Sequence, residues 1–163
     1  MLKLIQLSFW AKHRLKPPSK PRIVIKNTEI AYKTEVKFLG MHITENLNWQ
    51  THIYHLCRSL SKDYYRIKSL KNTLSNQMLW NTYFAYFQLR LRYGIFWGGS
   101  KESIKILRIQ KKVMRLMTGL KKCETCKQKF KENRILTVTS LSFKSFMLHK
   151  EVQGKFDAKL YDT

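Results

Sequence analysis

The spacing of apolar residues changes along the chain, from the alternation typical of strands to the three- and four-residue steps of helices. Arg22–Lys26 alternates and is rich in β-branched residues, so we expect it to form a strand. Glu29–Tyr32 and Val36–Ile43 are expected to be two further short strands, with Gly40 marking a bulge or close backbone approach in the second of them. The pattern therefore predicts a small antiparallel β element near the N-terminal end.

Helical periodicity follows directly. Apolar residues recur at steps of three and four between Asn48 and Ile67, which predicts one face of a long helix. Asn76 is expected to cap a second helix, whose body, Met78–Tyr93, is apolar almost all round and ends at Gly94. Because such a helix needs apolar neighbours on several sides, we expect it at the centre of a helical bundle.

Two more helices are expected in the last third of the chain. Ser100 and Glu102 are placed to cap and begin the third helix, and Gly119 is placed to close it. A loop with two cysteines follows, and a fourth helix is expected from about Ser140 to Val152. The predicted fold class is therefore α+β, with a small antiparallel β element at the N-terminal end followed by a mainly α-helical bundle.

The charge balance narrows the range of partners. The 163 residues contain 32 Lys and Arg against 10 Asp and Glu, a formal charge of +22. So much like charge favours a polyanionic partner, most commonly nucleic acid, with an anionic membrane surface as the lesser alternative. No apolar run approaches the roughly 20 residues that span a bilayer, and we expect no membrane partner.

The predicted third helix concentrates this charge on one side. Cations recur at steps of four and three, with Lys111 adjacent, while Glu102 is the one nearby acid. Apolar residues with the same steps lie on nearly the opposite side. A solvated face is the alternative, but such faces usually interleave both signs, so the pattern favours contact with phosphates. The candidate phosphate-binding residues of this helix are Lys101, Lys105, Arg108, Lys111, Lys112 and Arg115.

Other candidate sites are weaker. The aromatic residues are expected mainly in the core, and Tyr93 and Trp97 are the better candidates for stacking on bases. Cys123 and Cys126 form one C-x-x-C without the second pair of ligands that zinc needs, so we expect no metal site. Three cysteines without a disulfide framework favour a reducing compartment, the nucleus or the cytoplasm.

Catalysis by a two-metal site needs clustered carboxylates. The sequence has three aspartates, no two of which are adjacent: Asp63, Asp157 and Asp162. We therefore expect no enzymatic activity from these residues alone and no cofactor bound by them.

Several separated motifs occur in a characteristic order. The first set comprises Asn27, Ile30, Lys37-Phe38-Leu39-Gly40, Leu47, Trp49, His52 and Ile53. The second set comprises Tyr93-Gly94, Trp97-Gly98, Ile109-Gln110-Lys111-Lys112, Arg115, Cys126, Phe130 and Ile135-Leu136-Thr137. In this order they resemble the C-terminal part of the reverse transcriptase, an RNA-directed DNA polymerase, of jockey-like non-LTR retrotransposons.

The resemblance implies a role for each region. Residues 1–44 would be the end of the palm and a primer-grip-like β element with a Pro-rich basic loop, residues 45–155 a thumb-like helical bundle, and residues 156–163 a polar tail. The third helix would run along the nucleic-acid backbone. The residues implied at the primer grip, near the primer 3′ end, are Lys37, Phe38, Leu39 and Gly40.

The resemblance also implies partners. These are an RNA or DNA template–primer and the palm and fingers of the parent polymerase, which would carry the catalytic aspartates and their Mg²⁺. The alternative hypothesis is a free-standing basic, RNA-associated interaction protein without enzymatic activity.

Overall fold

The computed structural model describes residues 22–25, 27–93 and 95–161. The helix end expected at Gly94 and the three prolines of the basic loop lie outside these ranges. The chain forms two compact units, residues 1–52 and 53–163, which are described separately.

The described part of the first unit starts with a short antiparallel hairpin. Strands β1 (Val24–Ile25) and β2 (Thr28–Glu29) pair with Val24 opposite Glu29, and the Ile30 N–H extends the pairing by donating to the Ile23 carbonyl at 3.0 Å. The first two expected strands are therefore present, but each is shorter than the range that the alternation of apolar residues predicted.

A second hairpin replaces the expected third strand. Strands β3 (Glu35–Phe38) and β4 (Met41–Thr44) pair in register up to Phe38 and Met41, which leaves Leu39 and Gly40 as a two-residue turn. Both turn residues have positive φ, 46° and 81°, as a turn matched to the twist of a hairpin requires. The prediction of a single strand from Val36 to Ile43 with a bulge at Gly40 was wrong, because the chain reverses direction at Leu39 and Gly40.

The long helix expected next is confirmed. Helix α1 spans Gln50–Leu70, and the side chain of Asn48 accepts a hydrogen bond from the Gln50 N–H at 3.0 Å just before it. In the second unit its buried positions are spaced as predicted and comprise Ile53, Leu56, Leu60 and Ile67. The carboxylate of Asp63 is also buried, and it accepts hydrogen bonds from Arg66 and Arg90 at 3.1 and 2.9 Å.

The second helical region is built of three consecutive segments. Helix α2 (Asn76–Thr82) is followed by a π-helical segment (Tyr83–Gln88) and helix α3 (Leu89–Arg92). The cap is Ser75 and not Asn76, since the Ser75 hydroxyl accepts the Met78 N–H at 3.4 Å.

One face of this region is packed, contrary to the expectation of a central helix. The packed face is a single stripe made by Leu79, Tyr83, Phe87 and Leu91. The wide π turn brings Gln88 under Tyr83, whose hydroxyl donates to the Gln88 side-chain oxygen at 2.9 Å. Burial raises the pKa of Tyr83, which keeps this donor protonated. The other face remains exposed and carries Met78, Phe84, Tyr86, Leu89 and Tyr93.

The last elements complete the core of the second unit. A 3₁₀ turn (Ile95–Gly99) precedes helices α4 (Ser103–Thr118), α5 (Lys127–Glu132) and α6 (Val138–Tyr161), and α6 packs against both the 3₁₀ turn and α4. Helix α4 begins after Glu102, so the cap expected at Ser100 was wrong. The end expected at Gly119 is confirmed by its φ of 71°. Helix α5 was not predicted, and α6 is longer than expected.

These elements confirm the predicted α+β class: small antiparallel hairpins near the N-terminal end, then a mainly helical region. Among the described residues, no helix combines the length and the apolar character needed to cross a bilayer.

Candidate nucleic-acid interface

Helix α4 has one buried side and one cationic side. The buried side anchors the helix in the core of the second unit through Ile106, Gln110, Val113, Met114 and Met117. The cations Lys105, Arg108, Lys111 and Lys112 are exposed, as the spacing predicted, and so is Lys101, just before the helix. Arg115 is half-buried, and its guanidinium donates to the Glu124 carbonyl at 3.2 Å.

The charge of this side is not neutralised by neighbouring acids. Within the described ranges, no ion pair includes a cation of α4. Other cations of the second unit do have acidic partners: Arg66 and Arg90 pair with Asp63, and Lys129 pairs with Glu132. The α4 side chains therefore remain available to an external anion.

A groove runs along the second half of this cationic side. This α4 groove has a volume of about 620 Å³ and a floor that includes Tyr64, Leu116 and Leu120. Its lining contains no acidic residue. The cations that line it are Lys71, Arg108, Lys111, Lys112, Arg115 and Lys122. Six cations from three parts of the chain thus converge on one concave surface, and a cluster of this kind produces a strongly positive local potential.

A second concave surface lies between α4 and α5. This α4–α5 cleft has a volume of about 780 Å³, its lining also lacks acidic residues, and its apolar lining includes Leu107, Phe130 and Leu136. Lys111 and Arg115 line both the cleft and the α4 groove. The cations of the cleft are Lys111, Arg115, Lys127, Lys131 and Arg134.

Buried hydrogen bonds hold the wall of the α4–α5 cleft. The Gln110 side chain is fully buried, donates to the Leu136 carbonyl at 3.0 Å and accepts the Val138 N–H at 3.1 Å. It thereby fixes the segment that leads into α6. On the α5 side, the Cys126 thiol faces the Lys111 carbonyl at 3.8 Å. Gln110 belongs to the resemblance motif, and its position shows that it has a structural role in this chain.

Arg134 occupies an unusual backbone position at the rim of this cleft. It follows α5 with a φ of 51°, and the Ile135 N–H bonds back to the Phe130 carbonyl at 2.9 Å. This is the left-handed termination of a helix at which glycine is preferred, because a Cβ atom there is strained.

The predicted cations separate into two groups. Lys101 and Lys105 are not among the residues that line the two concave surfaces. Lys105 instead lies near Cys57, where burial raises the pKa of the thiol and the lysine charge opposes that shift. In the first unit, the four residues implied at the primer grip lie at and beside the β3–β4 turn, all exposed: Lys37, Phe38, Leu39 and Gly40.

Sequence reasoning missed five cations of these surfaces. Four belong to the lysine-rich stretch after α4, whose density of positive charge was an available signal: Lys122, Lys127, Lys131 and Arg134. The fifth, Lys71, follows α1 by one residue and reaches the groove through tertiary packing, for which the sequence has no local signal.

The remaining candidates, the two aromatic residues and the two late cysteines, differ in how far they are buried. Trp97 is fully buried, so its proposed role as a stacking surface was wrong, whereas Tyr93 is exposed. Cys123 is exposed and Cys126 is buried, and both are free thiols. In the part of the chain that the structure describes, no group of three or more His, Cys, Asp or Glu side chains could hold a metal ion.

Comparison with protein-family models, with curated proteins and with solved structures returns no match. The resemblance to a reverse transcriptase therefore rests on the ordered sequence motifs.

Proposed function

We propose that this chain binds nucleic acid through the sugar-phosphate backbone, as the primer-grip and thumb part of a non-LTR retrotransposon reverse transcriptase. The observation that carries the binding role is the α4 groove, where six cations converge and no acid contributes to the lining. The polymerase origin is supported by the order of the sequence motifs. The proposal assigns no polymerase chemistry to these residues alone, since their three aspartates are widely separated in sequence.

The physical basis of the proposed binding is counterion release. Each phosphate that a lysine or arginine neutralises frees a condensed cation, so affinity falls as salt rises. Four phosphate contacts on a single strand would lower the affinity about 50-fold between roughly 50 and 200 mM salt. Contacts of this kind give no preference for base sequence.

The experiment is a salt titration of the purified chain with fluorescein-labelled single-stranded RNA and an RNA–DNA hybrid of equal length, followed by anisotropy. We expect both to bind and the logarithm of affinity to fall linearly with the logarithm of salt. Lys111→Ala should reduce the magnitude of the slope for the single strand by about 0.7. Lys129→Ala is the matched control, because it removes the same charge from a residue already paired with Glu132.

Affinity that does not change with salt would contradict binding through phosphates. Binding of a folded RNA hairpin together with rejection of the hybrid would contradict the template–primer role and support the RNA-associated interaction protein.

A further inference from the structure

We infer that the α4–α5 cleft binds an unpaired nucleotide, with its base on the apolar floor and its phosphates at the cationic rim. This inference rests on the proposed function and specifies the substrate as nucleic acid with a single-stranded segment. The α4 groove would hold the backbone, and the cleft would accept a base from the same strand.

The lining of the cleft has the two kinds of surface that a nucleotide presents. Among the apolar residues of the lining, Leu136 is 38% exposed and Leu107 is half-buried, whereas Phe130 is buried, so Leu136 and Leu107 form the part of the apolar floor that a ligand can reach. The rim carries Lys127, Lys131 and Arg134 without an acidic neighbour in the lining. Phosphates alone would gain nothing from the apolar floor, whereas the flat face of a base would be removed from water there.

The size and position of the cleft agree with this occupant. Its volume of about 780 Å³ falls within the range of about 300 to 1,000 Å³ that is typical of small-ligand sites. Lys111 and Arg115 line both concave surfaces, so the two surfaces adjoin and one strand can reach both. A base within a duplex is stacked and paired and would have to leave the helix to enter.

The backbone at Arg134 is a separate observation at the same place. A left-handed helix end favours glycine, yet this position carries an arginine that lines the cleft. Strained residues persist where the surrounding structure imposes them, and they cluster at ligand sites. Here Gln110 fixes the next segment of the wall at Leu136 and Val138. At Arg134 itself, the N–H donates to the Lys131 carbonyl at 3.0 Å, and the Ile135 N–H donates to the Phe130 carbonyl at 2.9 Å.

The decisive experiment compares two single strands of equal charge, with and without bases, and adds a duplex as a third probe. The probes are a deoxythymidine 12-mer, an abasic 12-mer with the same phosphates, and the thymidine strand paired with its complement. We expect the thymidine strand to bind about tenfold more tightly than the abasic strand, and more tightly than the duplex, as base contacts of this kind would produce. Equal affinity for the thymidine and abasic strands would overturn the inference while leaving phosphate binding intact. Failure of all three probes to bind would contradict the proposed function as well.

Two substitutions in the cleft, with one control substitution outside it, test whether the base binds there. Leu136→Asp places a carboxylate on the apolar floor and should abolish the preference for the thymidine strand, whereas Leu89→Asp makes the same change at an exposed leucine of α3 and should preserve it. Arg134→Gly should raise the melting temperature by relieving the strained backbone, and yet weaken binding of the thymidine strand severalfold. A preference for the thymidine strand that survives Leu136→Asp would overturn the assignment to this cleft.

Discussion

The two ends of α4 carry similar charge in different surroundings. At the front end, Lys101 and Lys105 project from an open surface. At the back end, Arg108, Lys111 and Lys112 border concave surfaces with further cations from other elements. The difference lies in what packs beside the helix. Helix α5 and the turn after Gly119 bring additional cations to the back end. Lys101 and Lys105, at the front end, line neither the α4 groove nor the α4–α5 cleft.

This comparison separates charge from binding geometry. Helical periodicity is a local property, so it predicts correctly which side chains of α4 face solvent. A strand of nucleic acid, however, is held best where several cations surround it and low-dielectric walls focus their field. We therefore assign phosphate binding to the back end, and we expect substitutions that remove the contacts which shape it to lower the stability of the protein.

The largest expected effect on stability comes from Gln110→Ala. This change removes the partners of the Leu136 carbonyl and the Val138 N–H, and each buried polar group left without a partner costs about 1 to 3 kcal/mol. We expect the free energy of unfolding, measured by urea denaturation, to fall by about 3 kcal/mol. Gln128→Ala on the exposed side of α5 is the control and should change it by less than about 0.5 kcal/mol. Equal effects of the two variants would show that Gln110 does not hold the cleft wall.

A smaller effect is expected at the end of the α4 groove. An added Cβ meets no atom within 4 Å at either Gly119 or Gly99, but φ is positive only at Gly119, where it is 71°. Gly119→Ala should therefore lower the free energy of unfolding by about 1 to 2 kcal/mol, owing to backbone strain alone. Gly99→Ala is the control, and the free energy of unfolding of both variants is measured by chemical denaturation. If Gly99→Ala lost as much stability as Gly119→Ala, the positive φ at Gly119 would not be the cause of the loss.

Local patterns predicted much of the fold. The steps of three and four identified α1 and α4, because a long amphipathic helix repeats its signal over several turns. Gly119 marked the end of α4 because its left-handed conformation suits glycine. Two features without a repeated signal were missed. Helix α5 has six residues, too few to repeat a helical pattern. The turn at Leu39 and Gly40 places a leucine at a positive φ, which sequence preferences disfavour.

Tertiary structure decided what local patterns could not. The region from Met78 to Tyr93 is apolar almost all round, yet a single face packs. The π-helical segment that brings Gln88 under Tyr83 has no signature in the spacing of apolar residues. The same limit applies to the candidate site. The cations of α4 were identifiable in sequence, but the approach of Lys71 and the enclosure by α5 depend on contacts between distant segments.

The central claim is tested most directly by moving the same charge change from one end of α4 to the other. Arg108→Glu combined with Lys112→Glu alters the back end, and Lys101→Glu combined with Lys105→Glu alters the front end. Each pair lowers the formal charge of +22 by four, so effects of net charge are matched. Affinity for single-stranded RNA should fall on the order of 100-fold in the back-end variant and less than about fivefold in the front-end variant. Equal losses in the two variants would contradict the account, because they would show that total charge governs binding and the groove does not.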